Sequence, residues 1–528
     1  MTILKKNIFV LMGTLITLVL ASCGNASEND WPTDGSVKFF YENKEITPTY
    51  GEKNNVETYD YDSLKVHNTT NTLRDDFAYG VDASMVYEVE KHGGVYYNED
   101  GKEQDVFQIM RNDGVNFVRF RVWNNPSSTT GAAYGGGNNT CDVDLEMAKR
   151  AKAANLNVML DFHYSDFWAD PSKQFLPKEW KEYGTDELYN AITTFTKETM
   201  QKFKDNGVTV DAVQIGNEIN NGLMFPFGKL NTSSDASLEK ISTILQTGIT
   251  AAKAVFPHCY SIIHLAEGGQ KETFEKFFTK LEENEVDYDI IGASYYPYWH
   301  GTLDNLQTNL DNITSITKKP VMIMETAWGF TTEENANASN IYDSTLEATG
   351  GYLTSVQAQA TSLADICNVL SKVPNNLGLG VFYWEPAWLP VSGAGWATAA
   401  GQSYNAYGND QYASNYSDGK ASWSNQGLFS YTGKALPSLA TYKHIQNKTN
   451  DEEEVATKVS RSEIDVVLNL ALNQSLPTVF QVETNFDALR NYAVIWNEKD
   501  LTQLKQVEKN IVHGVVSGFN VIANVTCK

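Results

Sequence analysis

From Phe77 onward the chain alternates short apolar runs with longer stretches in which apolar residues recur every three or four positions. The short runs predict buried strands at Ala78–Asp82, Phe117–Trp123, Val158–Phe162, Ala212–Gly216, Ser261–Leu265, Ile290–Ser294, Val321–Glu325 and Gly380–Trp384. The helical period predicts helices over Asp144–Ala154, Thr185–Asn206 and Leu238–Val255. Strand and helix in regular alternation imply an α/β fold, and this number of strands implies a (β/α)8 TIM barrel. An open doubly wound sheet is the competing arrangement. It carries a Gly-rich phosphate turn after its first strand, whereas here that strand leads into Gly80-Val-Asp-Ala-Ser84.

The flanks read differently. Lys5 and Lys6 precede an apolar stretch, Ile8 to Leu20, of the length of a signal h-region and short for a membrane span. It ends in Leu20-Ala-Ser-Cys23, similar to the lipobox of bacterial lipoproteins, so Cys23 is expected to carry lipid. Residues 1–23 are thus the leader, and 24–74, polar and irregular, a tether and extended segment. The barrel is expected over 75–448, closed by a turn and a final helix within Tyr431–Asn447. The charged run Asn450-Asp-Glu-Glu-Glu454 marks a boundary. Beyond it, over 455–528, short β-rich pieces at Ile464–Leu470, Thr478–Val482, Tyr492–Trp496, Val512–Val516 and Asn520–Val525 predict a small β-sandwich resembling bacterial immunoglobulin-like modules, suited to spacing or docking.

Composition narrows the partners. A formal net charge of −24 repels nucleic acid and polyanions and is indifferent to a neutral glycan. Aromatic residues make up 12% of the chain, enough to line a sugar cleft as well as fill a core. Cys141, Cys259, Cys367 and Cys527 are widely spaced, with no metal-ligand or disulfide pattern.

Two glutamates stand at predicted strand ends: Glu218 in Ile215-Gly-Asn-Glu218 and Glu325 in Met324-Glu-Thr326. In a parallel barrel catalytic groups gather at that end, and two facing carboxylates suffice to hydrolyse a glycosidic bond. Glu218 could instead be a carboxylate stabilising a helix N-terminus, but the second strand-end acid favours catalysis. Asn217 beside it can hold a substrate hydroxyl. Arg119 and Arg121 alternate onto one face of the second strand, where burial demands carboxylate partners. One guanidinium could keep Glu325 ionised and the other form a structural ion pair. The run Asp161-Phe-His-Tyr-Ser-Asp-Phe-Trp-Ala-Asp-Pro171 lacks the paired histidines of a helical zinc site, so Asp161, His163 and Trp168 are read as substrate and supporting groups. Ser294-Tyr-Tyr-Pro-Tyr-Trp299 and Phe382-Tyr-Trp-Glu-Pro-Ala-Trp388 add rings at the same mouth, and the long loop from Pro386 to Gln426 has the length of a functional one.

Together with Val118-Arg-Phe-Arg-Val-Trp123 and Tyr383-Trp-Glu-Pro-Ala-Trp388, these motifs resemble glycoside hydrolase family 53, the endo-β-1,4-galactanases, over Phe77 to Ile445. The resemblance implies a retaining hydrolase with Glu218 as proton donor and Glu325 as nucleophile. Arg119, Asn217, Tyr296 and Trp384 would be its supporting set, with His264 on the fifth strand completing the substrate contacts. It also implies β-1,4-galactan as substrate, against the alternatives of another β-linked glycan such as mannan or xylan, or a non-catalytic glycan-binding lipoprotein. The last should lack one of the two glutamates, and both are present. Bacterial members often bind calcium after the seventh strand. There this chain has Ala336 and Ala338 at ligand-like positions, and methyl groups offer no oxygen, so no cofactor is expected to be required, with calcium binding left open. A monomer without nucleic-acid partners, exported and held at a bacterial cell surface only by its lipid, completes the expectation.

Overall fold

The computed structural model describes residues 36–42, 44–231, 235–335, 339–408, 420–469, 474–505 and 508–527. The leader, Cys23, Ala336 and Ala338 lie outside them.

Eight strands close into a barrel: β1 (Ala78–Asp82), β2 (Phe117–Val122), β3 (Asn157–Phe162), β4 (Ala212–Ile215), β5 (Tyr260–Leu265), β6 (Ile290–Ser294), β7 (Val321–Thr326) and β8 (Gly378–Trp384). Each pairs in parallel with its neighbours in sequence, and β8 pairs with β1. The predicted strands are all present, with ends shifted by a residue or two. Every residue in them is buried, which a parallel sheet covered by helices requires. Helices follow the strands: α1 (Val106–Asn112), α2 (Cys141–Ala153), α3 (Thr185–Asp205), α4 (Asp235–Lys253), α5 (Lys271–Glu283), α6 (Leu303–Thr317), α7 (Val356–Lys372) and α8 (Thr441–Asn447). In α3 the buried positions Leu188, Ile192, Thr196, Met200 and Phe203 trace one face at the helical period. At Gly80 in β1 an added Cβ would lie 2.4 Å from the Phe382 ring, so glycine makes room for a side chain from β8.

Towards the strand C-termini the interior turns polar. Asp82, Arg119, Arg121, Asp161 and Gln214 are buried there in one hydrogen-bonded cluster, and His264 is buried at the same level. Alternation along each strand puts these side chains inside while their neighbours pack against helices.

The C-terminal module is a curled mixed sheet. Its strands are β9 (Ala456–Val459), β10 (Glu463–Leu468), β11 (Val479–Thr484), β12 (Leu489–Trp496), β13 (Lys509–Val516) and β14 (Phe519–Cys527). The order is β9-β11-β12-β13-β14-β10, antiparallel except for the parallel β10–β14 pair. Two small cores form on it, one around Val512, Val525 and Cys527 and one around Phe480, Val482 and Val521.

The β11–β12 turn is docked on the barrel. Phe486 and Ala488 are fully buried. Thr361 Oγ1 donates to Phe486 O at 2.7 Å, and Leu353 N to Asp487 O at 2.8 Å. Asp365 of α7 accepts from Arg490 Nη2 at 2.7 Å and from Tyr352 at 2.7 Å, with His67 Nε2 at 2.9 Å. Burial pushes its carboxyl up, but the His67 bond and the charges of Arg490 and His67 outweigh that and bring it to about 2.

A folded-state value below the unfolded one means that this carboxylate stabilises the fold above about pH 4 and stops doing so as pH falls towards 2. Arg490→Ala should therefore cost about 2 kcal/mol at neutral pH, less than the roughly 3–5 kcal/mol of a fully buried pair because the arginine is partly exposed. Urea denaturation at pH 7 and pH 3 measures this: the gap between wild type and variant should shrink at the lower pH.

Candidate active site

Glu218 follows β4 through Gly216, which sits at φ +83°, and is itself at φ +47°. That region strains a residue with a Cβ, and strained residues concentrate at functional sites. The turn is held to the neighbouring strand by Ile219 N, which donates to His264 O at 3.1 Å. Glu325 lies inside β7, and its carbonyl accepts from Tyr295 N at 2.8 Å, which brings the loop after β6 alongside it. The two acids face each other: a carboxylate oxygen of Glu218 lies within 4.8 Å of one of Glu325.

Each acid has its own surroundings. Glu325 accepts from Arg119 Nη2 at 2.7 Å and from the Tyr296 hydroxyl at 3.1 Å. Arg119 is fixed in turn by Asp82 at 2.8 Å and by Gln214 Oε1 at 2.9 Å. Glu218 is half-buried, and its Oε1 shares a hydrogen bond of 2.7 Å with Ser294 Oγ. Burial and then the Glu325 charge raise the Glu218 carboxyl well above the ordinary carboxylate range, while a hydrogen bond from Ser294 to the charged form pulls the other way. Burial also raises Glu325, but the charge and hydrogen bond of Arg119 pull directly against it, and the rise is the smaller of the two. One proton on the pair therefore rests on Glu218. Such a pair, one acid charged and one protonated, is the equipment of acid-assisted nucleophilic displacement at an acetal.

A cleft of about 420 Å³ opens over both carboxylates. Trp168, Trp384, Trp396 and Trp423 wall one side, with Trp384 4.7 Å from Trp423 and 5.9 Å from Trp396 between ring centres. Trp299, 49% exposed, stands at the rim.

The barrel coincides with a known family. The model of glycosyl hydrolase family 53 matches residues 78–442. The chain belongs to this family. It is similar to an endo-beta-1,4-galactanase of Bacillus subtilis (strain 168), 35% identical over 390 residues, which cover 71% of this chain and 87% of that protein. An arabinogalactan endo-beta-1,4-galactanase of Humicola insolens is 32% identical over 379 residues, 69% of this chain and 98% of that one. Among solved structures, the Ignisphaera aggregans GH53 catalytic domain superposes with a TM-score of 0.66 at 36% identity, covering 72% of this chain and 99% of its own. This family 53 chain is thus a glycoside hydrolase.

The structure gathers most of the residues picked out in the sequence. Glu218, Glu325, Asn217, His163, Trp168, Tyr296 and Trp384 line the cleft. Arg119 and Asp161 lie beneath it, fully buried: Asp161 accepts from Gln214 Nε2 at 2.7 Å and has His163 Nε2 at 3.1 Å. Two expectations change. His264 does not line the cleft; it is fully buried behind Asn217 and Ser294, with Nδ1 3.1 Å from Asn217 Oδ1 and Nε2 2.9 Å from Ser294 Oγ. Trp168 is less a free platform than a lid on Arg121, whose guanidinium lies 4.3 Å from its ring centre. Arg121 takes the structural role, bonding Glu385 and Asp82. Burial raises Glu385 to about 8 against the pull of Arg121.

Sequence reasoning missed Asp82, Gln214, Ser294 and Glu385, single polar residues in or beside apolar runs. It missed Trp396 and Trp423 individually, although both belong to the long loop after β8. Glu218, His264 and Glu325 offer atoms close enough for a metal ion, but Arg119 occupies Glu325 and both His264 nitrogens are engaged, so the set does not fit one.

Arg119→Ala leaves Glu325 buried without its cation and Asp82 with only the longer bond to Arg121, 3.3 Å. Chemical denaturation should show a loss of roughly 3–5 kcal/mol; a loss under about 1 kcal/mol would mean the guanidinium does not hold this layer together.

Proposed function

We propose that the chain is an endo-acting, retaining β-1,4-galactanase that cuts internal bonds of pectic galactan side chains. The observation that carries the mechanism is the approach of Glu218 and Glu325 within 4.8 Å. Retaining enzymes keep their carboxyl groups about 5–5.5 Å apart, and inverting ones about 6.5–9.5 Å, to admit a water between them. The names of the relatives support the substrate.

In the first step the Glu325 carboxylate attacks the anomeric carbon. The glycosidic C–O bond breaks as Glu218 gives its proton to the leaving oxygen. In the second, Glu218 takes a proton from water, the water oxygen bonds the anomeric carbon, and the ester to Glu325 breaks. Tyr296 and Arg119 hold the nucleophile on two oxygens while its charge is consumed and restored. Asn217 donates one amide hydrogen to Ala169 O at 2.8 Å, which leaves the second for a sugar hydroxyl beside the anomeric carbon. The tryptophan wall supplies flat apolar faces for the C–H side of the rings. Both steps use only protein groups and water, so the mechanism calls for no cofactor. Export with a lipid on Cys23 would keep the enzyme at the cell surface, near polymer too large to enter; this part of the reading rests on the leader pattern.

Reducing-end release should be rapid on β-1,4-galactan and slower by orders of magnitude on mannan and xylan; equal rates would remove the substrate assignment. Glu218→Ala should slow galactan hydrolysis at least about 10²-fold and hardly affect the first step with an activated aryl galactoside, whose leaving group needs no proton. Cys23→Ala should move the protein from the membrane to the soluble fraction; unchanged membrane partition would contradict lipidation.

A further inference from the structure

The hydrogen-bond directions around the acid/base can be assigned starting from Arg119, which has only donors. Its Nη1 bond to Gln214 Oε1 fixes that amide, and Gln214 Nε2 donates to Asn217 Oδ1 at 3.1 Å. Asn217 is thereby fixed as well, with Nδ2 on Ala169 O. His264 Nδ1 faces Asn217 Oδ1, an acceptor, so the ring carries hydrogen on Nδ1. Burial, then the charges of Arg119, His163 and His300, hold this imidazole well below its ordinary range, so it is neutral. A neutral ring protonated at Nδ1 has a bare Nε2, and the partner there is Ser294 Oγ. That oxygen also meets Glu218 Oε1. Serine has one hydrogen for two contacts. If it goes to His264, Glu218 must supply the hydrogen of the other bond. If it goes to Glu218, His264 Nε2 is a buried acceptor without a donor, which is costly.

We propose that His264 is a positioning residue that acts through Ser294 to hold the proton on Glu218. This rests on the double-displacement reading above. At rest, Glu218 O–H donates to Ser294 Oγ and Ser294 O–H donates to His264 Nε2. As Glu218 O–H breaks and the leaving oxygen takes its hydrogen, the Ser294 hydroxyl turns from His264 to the new carboxylate. Ser294 keeps its own hydrogen throughout, and the turn reverses when Glu218 takes a proton from water. Glu218 also faces Glu325 from β7, Asp170 and Lys173 from the loop after β3, Glu267 after β5, Tyr296 after β6 and Arg119 from β2. The substitutions below leave all of these in place.

The Glu218 titration is read without substrate, by NMR of ¹³C-carboxyl glutamate assigned with Glu218→Gln. In His264→Asn the new amide can still donate to Asn217, but no acceptor remains at the Nε2 position. Ser294 is then free to serve the carboxylate, and the midpoint should fall by about one pH unit. His264→Gln, whose amide oxygen reaches the Nε2 position, should keep the wild-type midpoint. Ser294→Ala removes the hydroxyl that bonds Glu218 and can turn to the carboxylate, so its midpoint should rise, and adding His264→Asn should then change nothing. A His264→Asn midpoint that stays or rises, or shifts that add in the double variant, would overturn the proposal. Should His264→Asn not fold, ¹⁵N NMR of the wild-type imidazole decides: the neutral Nδ1–H tautomer supports the relay, and Nε2–H or imidazolium overturns it. Failure of these readings while galactan is still cut with retention would remove the relay alone. The expected titrations in a protein inert on galactan would remove the function instead.

Discussion

The guanidinium of Arg119, buried at the centre of a barrel, is the constraint on which the rest of the site depends. A cation there is tolerable only if carboxylates surround it, and it binds Asp82 from β1 and Glu325 from β7 directly. Because β7 pairs with neither β1 nor β2, the strand that carries Arg119, the cluster ties non-adjacent strands of the barrel to one point. In the proposed mechanism it also favours the charged form of the nucleophile Glu325, which the hydroxyl of Tyr296 bonds on its other oxygen.

The same group divides labour between the two acids. Both are buried enough to prefer a proton. Arg119 touches one and not the other, so the proton collects on Glu218, where the Glu325 charge strengthens the preference. In the proposed mechanism two chemically identical side chains thus serve as nucleophile and acid through position alone.

Much of this was legible in the sequence because it was periodic or punctuated. Apolar runs marked the eight strands, and Glu218 and Glu325 announced themselves by ending two of them. Arg119 and Arg121 were legible as a problem, two cations on an inward face, but not which partner each would find. Asp82, Gln214 and Ser294 carry no signal of their own: each matters through a partner tens to hundreds of residues away. His264 entered as a substrate contact with the family resemblance, yet Asn217 and Ser294 stand in front of it. The docked β11–β12 turn was equally hidden, since Phe486 reads as core of its own module and Asp365 as an ordinary helix acid.

The central claim is that Glu325 attacks the sugar. A 2-deoxy-2-fluorogalactoside with an activated leaving group slows the second step more than the release of that group, so the covalent intermediate accumulates. Intact-mass and peptide analysis should then find one fluorosugar per chain, on the peptide carrying Glu325, with turnover resuming as it is lost. A label on any other residue, or an unlabelled enzyme whose first-formed sugar has inverted configuration, would contradict the account.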